Sequence, residues 1–180
     1  MDILNLNITY RSYRFSLLKE PYISMFNSGK KALDNCYAPY SNFGVAAVLL
    51  LENGELLVGT NQENASFPVS ICAERVVLSA LSVIRFDAVI KSMMILSQRL
   101  PNYSENNNYD FQGVGDEPVA PCGMCRQAIA EQVTRQKEDF EPCWYPAVVW
   151  FGPLTRQCPC CLWPLVRFNG GLNRIAEAKR

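Results

Sequence analysis

The sequence predicts an α/β domain in which a sheet is covered by helices on both faces. Three observations lead there. Helix-period and strand-period segments alternate along the chain in an order close to α-β-β-α-β-α-β, and such interleaving places helices over both faces of a sheet. The length, 180 residues, suits one hydrophobic core and not two. The balance of 49% hydrophobic and 19% charged residues is that of an ordinary globular chain.

Residues 1–13 alternate apolar and polar positions, which suggests an edge strand within an N-terminal extension, 1–18. From about Lys19 to Asn35, the residues Tyr22, Met25, Phe26 and Leu33 recur at helical spacing, and Pro21 suits a first helical turn. Tyr37-Ala38-Pro39-Tyr40-Ser41-Asn42 is turn material. Phe43 to Glu52 is rich in Val, Leu and Ala, as a buried strand is. Asn53-Gly54 signals a hairpin, with Glu55 to Thr60 as the return strand. A polar loop, Asn61-Gln62-Glu63-Asn64, leads toward a second helix over Cys72–Arg85, whose buried stripe is expected at Val76, Val77, Ala80, Leu81 and Ile84.

Ala88 to Ser97 reads as a third strand. Residues 101–118, rich in Asn, Asp, Tyr and Gly, read as a surface insertion. Pro121 opens a third helix, Cys122 to Gln136, and Ala147 to Phe151 is a short last strand closed by Gly152-Pro153. The expected organisation is one domain over 1–180 with a loosely held tail, 169–180.

Charge and composition exclude several functions. Lys plus Arg and Asp plus Glu each number 17, so no net basic field draws in a nucleic-acid backbone, and no nucleic-acid partner is expected. The longest apolar stretch, Val45 to Leu51, is too short to span a bilayer, so no membrane partner is expected either. Met1-Asp2-Ile3-Leu4-Asn5 lacks the basic-then-apolar pattern of a secretory leader. A cytoplasmic location is therefore expected, where clustered cysteines serve metals or catalysis more often than disulfides. The chain has no histidine, which excludes His-based triads and His-containing zinc sites. Proton transfer near neutral pH then falls to a carboxylate, Lys, Tyr, Cys or metal-activated water.

Among the eight cysteines, Cys122 and Cys125 open a helix three residues apart, so their sulfurs share one face and can share one tetrahedral ion. Zn2+ fits best, and a catalytic zinc site takes three protein ligands and keeps a fourth position open. Cys72, at another helix start, supplies the third ligand. Helix N-termini stabilise the anionic sulfurs. Glu74, two residues on, is placed to handle protons without binding the ion. Arg75 and Arg126, close to the ligands in sequence, are candidate donors to sulfur, and Arg75 is taken as the residue that tunes the metal. Cys158-Pro159-Cys160-Cys161 does not make a convincing second site, because adjacent cysteines do not readily converge on one ion. Cys36 and Cys143 are expected to be unligated.

Cys72-Ala73-Glu74 with Pro121-Cys122-Gly123-Met124-Cys125 resembles the signature of the zinc deaminases in its three-cysteine form. Further segments narrow it. Tyr37-Ala38-Pro39-Tyr40-Ser41, Asn61-Gln62-Glu63-Asn64-Ala65, Cys122-Gly123-Met124-Cys125-Arg126-Gln127 and Leu162-Trp163-Pro164 followed by Phe168 resemble the cytidine deaminase family, in its small, three-cysteine, homotetrameric form. The resemblance implies a three-layer α/β/α fold with a mixed, about five-stranded sheet. It implies zinc held by Cys72, Cys122 and Cys125, Glu74 as the proton shuttle, and Asn61 and Glu63 on the ribose hydroxyls. Phe43 would lie against the base, with the N–H of Ala73 and the C=O of Ala120 on its polar edge. Phe168 would pack over the base from a neighbouring subunit of a homotetramer, or of a dimer. The implied reaction is hydrolytic deamination of cytidine and deoxycytidine in pyrimidine salvage. Two alternatives stay open: the same chemistry on a related aminopyrimidine nucleoside such as blasticidin S, and a non-catalytic zinc-stabilised binding module. Phe67 departs from the family's usual Tyr, and the 1–18 and 101–118 segments are atypical.

Overall fold

The computed structural model describes residues 10–13, 18–100, 121–145 and 148–151. Ala120, Phe168, the 101–118 insertion, the 169–180 tail and the cluster of Cys158, Cys160 and Cys161 lie outside the described residues, as does most of the 1–18 extension.

Strand β1 (Tyr10–Tyr13) is followed by helix α1 (Tyr22–Ala32) and a short 3-10 turn, Leu33–Asn35. Strands β2 (Phe43–Leu51) and β3 (Leu56–Thr60) form a hairpin, after which come α2 (Ala73–Ile84), β4 (Ile90–Arg99), α3 (Gly123–Gln136), β5 (Glu141–Tyr145) and β6 (Val148–Phe151). The strands join one sheet in the order β1-β6-β5-β4-β2-β3. The β4–β5 pair is parallel and the others are antiparallel, so the sheet is mixed as expected.

The apolar run of β2 is continuous because both of its faces are buried. Ala46 and Val48, with Met94 and Leu96 of β4, meet Met25 and Phe26 of α1. Ala47, Leu49 and Leu51, with Met93 and Ile95, meet Val77, Leu78 and Leu81 of α2 and Ile129 of α3. Burying each of the larger of these side chains, Val, Leu, Ile, Met and Phe, contributes about 1.5–3 kcal/mol relative to exposure. The hairpin turns where the sequence signals it: Gly54 takes φ +83°, and Gly54 N–H donates to the Leu51 carbonyl at 2.9 Å. That left-handed position is the one a three-residue hairpin loop reserves for glycine.

Three details depart from the sequence expectation. The sheet has six strands among the described residues, one more than the expected five or so, because β5 is added. Its opening Glu141-Pro142 argues against a strand, yet Pro142 pairs only with Met93 of β4, and β6 pairs with Cys143 and Trp144 beyond it. The buried stripe of α2 is turned by one position: Ala73, Glu74, Val77, Leu78 and Leu81 are buried, whereas Ile84 is exposed. The first helix is shorter than 19–35, since Pro21 sits at its N-cap and its last turn tightens into the 3-10 segment.

Candidate metal centre

Helices α2 and α3 share one face of the sheet, and their N-terminal ends meet. Cys72 and Cys122 occupy the N-cap positions of α2 and α3, each in extended backbone, and neither side chain is spent on capping its helix. Both sulfurs are thus free to face each other, 3.9 Å apart. One helical turn brings Cys125 onto the same side as Cys122, with their sulfurs 3.4 Å apart. All three sulfurs lie within 4.8 Å of one another, and no further Cys, Asp or Glu joins the group among the described residues. Cys125 is fully buried, Cys72 is half-buried and Cys122 is exposed.

The electrostatics favour anionic sulfur at Cys72. The Cys125 thiol donates to Cys72 and, with smaller help from Cys122 and Arg75, brings the Cys72 thiol down to about 6 against the opposition of burial and Glu74. Cys125, the donor in that pair, is pushed up by the same contact and by burial. Glu74 is 4% exposed. Burial raises its carboxyl above the usual range, opposed by its own backbone N–H, the Cys125 thiol and the Arg75 charge. The Arg75 guanidinium points to the thioether of Met124, with Nη1 3.9 Å from Sδ, so its influence on Cys72 is through charge.

The polar loop after β3 is joined to this end of α2. Gln62 and Ile71 exchange two backbone hydrogen bonds of 2.9 Å, and Ile71 is the residue before Cys72. On its other side the loop meets Tyr37, whose N–H donates to the Asn61 carbonyl at 3.1 Å and whose carbonyl accepts from Glu63 N–H at 2.7 Å. The side chains of Asn61 and Glu63, expected on a sugar, are both engaged by the protein. Asn61 Oδ1 accepts from Val45 N–H at 2.8 Å, and its Nδ2 donates to the Phe43 carbonyl at 2.9 Å. Glu63 Oε2 accepts from the N–H groups of Tyr40 and Ser41 at 2.9 and 3.2 Å. An amide and a carboxylate retain further hydrogen-bonding capacity beyond these contacts. Phe43 is half-buried at the start of β2. Ala73, in the first turn of α2, carries an N–H that an α-helix leaves without an intrahelical acceptor.

Sequence reasoning missed Gly59, over which the first turn of α2 passes; a glycine inside a strand pattern is the signal that was available. Cys36 donates to the Leu33 carbonyl at 2.9 Å. The Cys143 expectation concerns a side chain outside those described.

Three soft sulfur donors converging at two helix N-termini fit a zinc ion, and among the described residues no fourth protein ligand joins them. Residues 21–137 match the family model of the cytidine and deoxycytidylate deaminase zinc-binding region. The chain belongs to that family. The ion its cysteine cluster fits is zinc.

The chain is 37% identical over 102 residues to a cytidine deaminase of Halalkalibacterium halodurans, a match covering 56% of this chain and 64% of that protein. It is 38% identical over 105 residues to the cytidine deaminase of Sporosarcina psychrophila, covering 57% and 62%. The match thus spans somewhat less than two thirds of these curated relatives. Two crystal structures of cytidine deaminases share the fold. The one from Burkholderia pseudomallei has a TM-score of 0.53 at 26% identity, covering 71% of this chain and 88% of that one. The one from Mycobacterium leprae has a TM-score of 0.53 at 27% identity, covering 72% and 92%.

Proposed function

We propose that this deaminase-family chain hydrolyses the 4-amino group of cytidine and deoxycytidine, releasing ammonia and leaving uridine or deoxyuridine. The observation that carries this reading is the buried carboxylate of Glu74 beside three convergent sulfurs, with its pKa raised by burial. Cys72, Cys122 and Cys125 hold the zinc, which when bound supplies a Lewis acid that makes water nucleophilic near neutral pH. Glu74 accepts a proton from the water that adds at C4 and passes protons to the ring nitrogen N3 and to the departing amine. Its burial suits this work, because a carboxyl raised toward the working pH accepts the water's proton more readily than an ordinary Glu and can still pass it on.

Asn61 and Glu63 orient the ribose with the capacity left after their backbone contacts. Phe43 lies against the base, and the Ala73 N–H and the Ala120 carbonyl bind the pyrimidine's polar edge. Arg75 moderates the charge of the sulfurs. No helix of the described residues is long and apolar enough to cross a membrane; the location proposed is the cytoplasm. A homotetramer, with Phe168 reaching a neighbour's site, belongs to the same reading. Its support is the exposure of large apolar side chains near the ligands in sequence, Phe67 at 84% and Met124 at 63%.

The deciding experiment is an ultraviolet assay of the zinc-loaded chain with cytidine, deoxycytidine, blasticidin S and single-stranded DNA in parallel. Turnover confined to the first two substrates is expected. Turnover of blasticidin S alone reassigns the substrate, and zinc binding with no turnover of any substrate overturns the enzyme reading.

A further inference from the structure

We propose that Gly59 is a positioning residue for the metal centre, setting the distance between β3 and the first turn of α2. This rests on the metal reading of the function above and deepens it. A Cβ placed on Gly59 would lie 2.8 Å from the Ala73 carbonyl oxygen, 2.7 Å from the Val77 backbone nitrogen and 3.0 Å from Val77 Cβ. Real carbon atoms do not approach so closely. Two of the three opposing atoms are helix backbone, so no rotamer change relieves the clash.

What Gly59 seats is the working part of α2. Ala73 to Val77 is the turn that holds Glu74 and Arg75 and follows Cys72 directly. The strand side is equally consequential, for Gly59 is two residues before Asn61, whose side chain is fixed to Val45 and Phe43. Asn61 opens the loop that pairs with Ile71 through Gln62. Any side chain at 59 therefore forces the Cys72 end of α2 away from the sheet, while Cys122 and Cys125 stay with α3. The three sulfurs then lose their common centre.

A matched control exists on the opposite face. A Cβ on Gly29 of α1 would meet Leu96 Cδ1 at 2.5 Å and Val48 Cγ2 at 3.0 Å, both side-chain atoms remote from the cysteines in the layering of the fold. The test compares Gly59→Ala with Gly29→Ala in the full chain. Its readouts are far-UV circular dichroism, Co2+ affinity by chelator competition, and the thiolate-to-cobalt charge-transfer spectrum.

The expected result is that Gly59→Ala folds, binds Co2+ about tenfold more weakly or worse, and shows an altered spectrum, in the range seen when support of metal ligands is lost. Gly29→Ala should lose stability yet keep the wild-type affinity and spectrum. Wild-type affinity and spectrum in Gly59→Ala overturn the proposal, as does equal weakening in both variants. A Gly59→Ala chain that stays unfolded at zinc concentrations where Gly29→Ala folds also counts against it, marking Gly59 as a folding residue. Should the wild-type chain bind metal yet fail to deaminate cytidine, the functional reading fails and the metal comparison still decides the role of Gly59.

Discussion

Asn61 is paired with Val45 twice. Its backbone N–H donates to the Val45 carbonyl at 3.0 Å, and its side-chain Oδ1 accepts the Val45 N–H at 2.8 Å. One residue thus satisfies both backbone groups of another, and with its Nδ2 on Phe43 it extends the hairpin past the end of β3. Asn61→Ala should cost about 1–3 kcal/mol, since it strands the part-buried Val45 N–H and Phe43 carbonyl. Urea unfolding checks this. Because the same residue is proposed to bind ribose, the cytidine KM should rise as well. A variant with unchanged stability would contradict the pairing.

Glu74→Gln keeps the shape of the buried side chain and removes its ability to take a proton. The variant should bind one zinc per chain like the wild type and lose about 10²–10⁴ in kcat, the usual worth of a positioned acid-base group. Metal analysis beside the cytidine assay reads both outcomes. Undiminished turnover would rule out Glu74 as the shuttle.

Cys125→Ser removes the buried member of the sulfur cluster. Zinc should raise the melting temperature of the wild-type chain by mass action, equivalent to about 4 kcal/mol at a thousandfold excess over Kd. Thermal unfolding with and without zinc should show that gain greatly reduced in Cys125→Ser. An equal gain in both would mean the metal binds elsewhere.

Gln136, at the end of α3, grips the first residue of β4: its Oε1 accepts the Ile90 N–H and its Nε2 donates to the Ile90 carbonyl, both at 3.1 Å. Gln136→Ala should destabilise the chain by about 1–3 kcal/mol with the zinc affinity unchanged, because the contact lies at the far end of α3 from Cys122 and Cys125. Denaturation and chelator competition measure the two effects separately.

Arg85 donates to Glu55 at 2.8 Å and holds its carboxyl below the usual carboxylate range. A carboxyl depressed in the folded state stabilises above its unfolded pKa, and that contribution is lost as pH falls through the folded value. The stability difference between wild type and Glu55→Gln should therefore be present at pH 7, shrink as pH falls through the ordinary carboxylate range and vanish only at still lower pH. A difference that does not shrink on acidification would show that the pair does not act through its charge. The effect will be small, as it is for ion pairs in water.

Much of this was legible in the sequence for physical reasons. The cysteine spacing and the lack of histidine left one ligand set, and the structure brings Cys72, Cys122 and Cys125 together. The uninterrupted apolar run of β2 announced a strand buried on both faces. What escaped notice depends on tertiary context. The strand at Pro142 needs a neighbour that asks nothing of the missing N–H. The turned stripe of α2 buries Glu74, a residue whose charge points to solvent in any pattern reading. The backbone contacts of Asn61 and Glu63 link residues 16 to 23 positions apart, beyond the reach of local periodicity.

The parallel pairing of β4 with β5 has a consequence for how lengths can vary in this fold. Met94 lies beside Cys143, and α3 provides the crossover between the two strands. The chain leaves β4 at a fixed point, where Leu100 N–H donates to the Asn42 carbonyl at 3.0 Å, and re-enters at the buried Pro121. Closing a flexible connection costs entropy only logarithmically, about 0.6 kcal/mol for each doubling of its length. With Leu100 tied to Asn42 and Pro121 buried, a change of length between β4 and α3 is thermodynamically cheap.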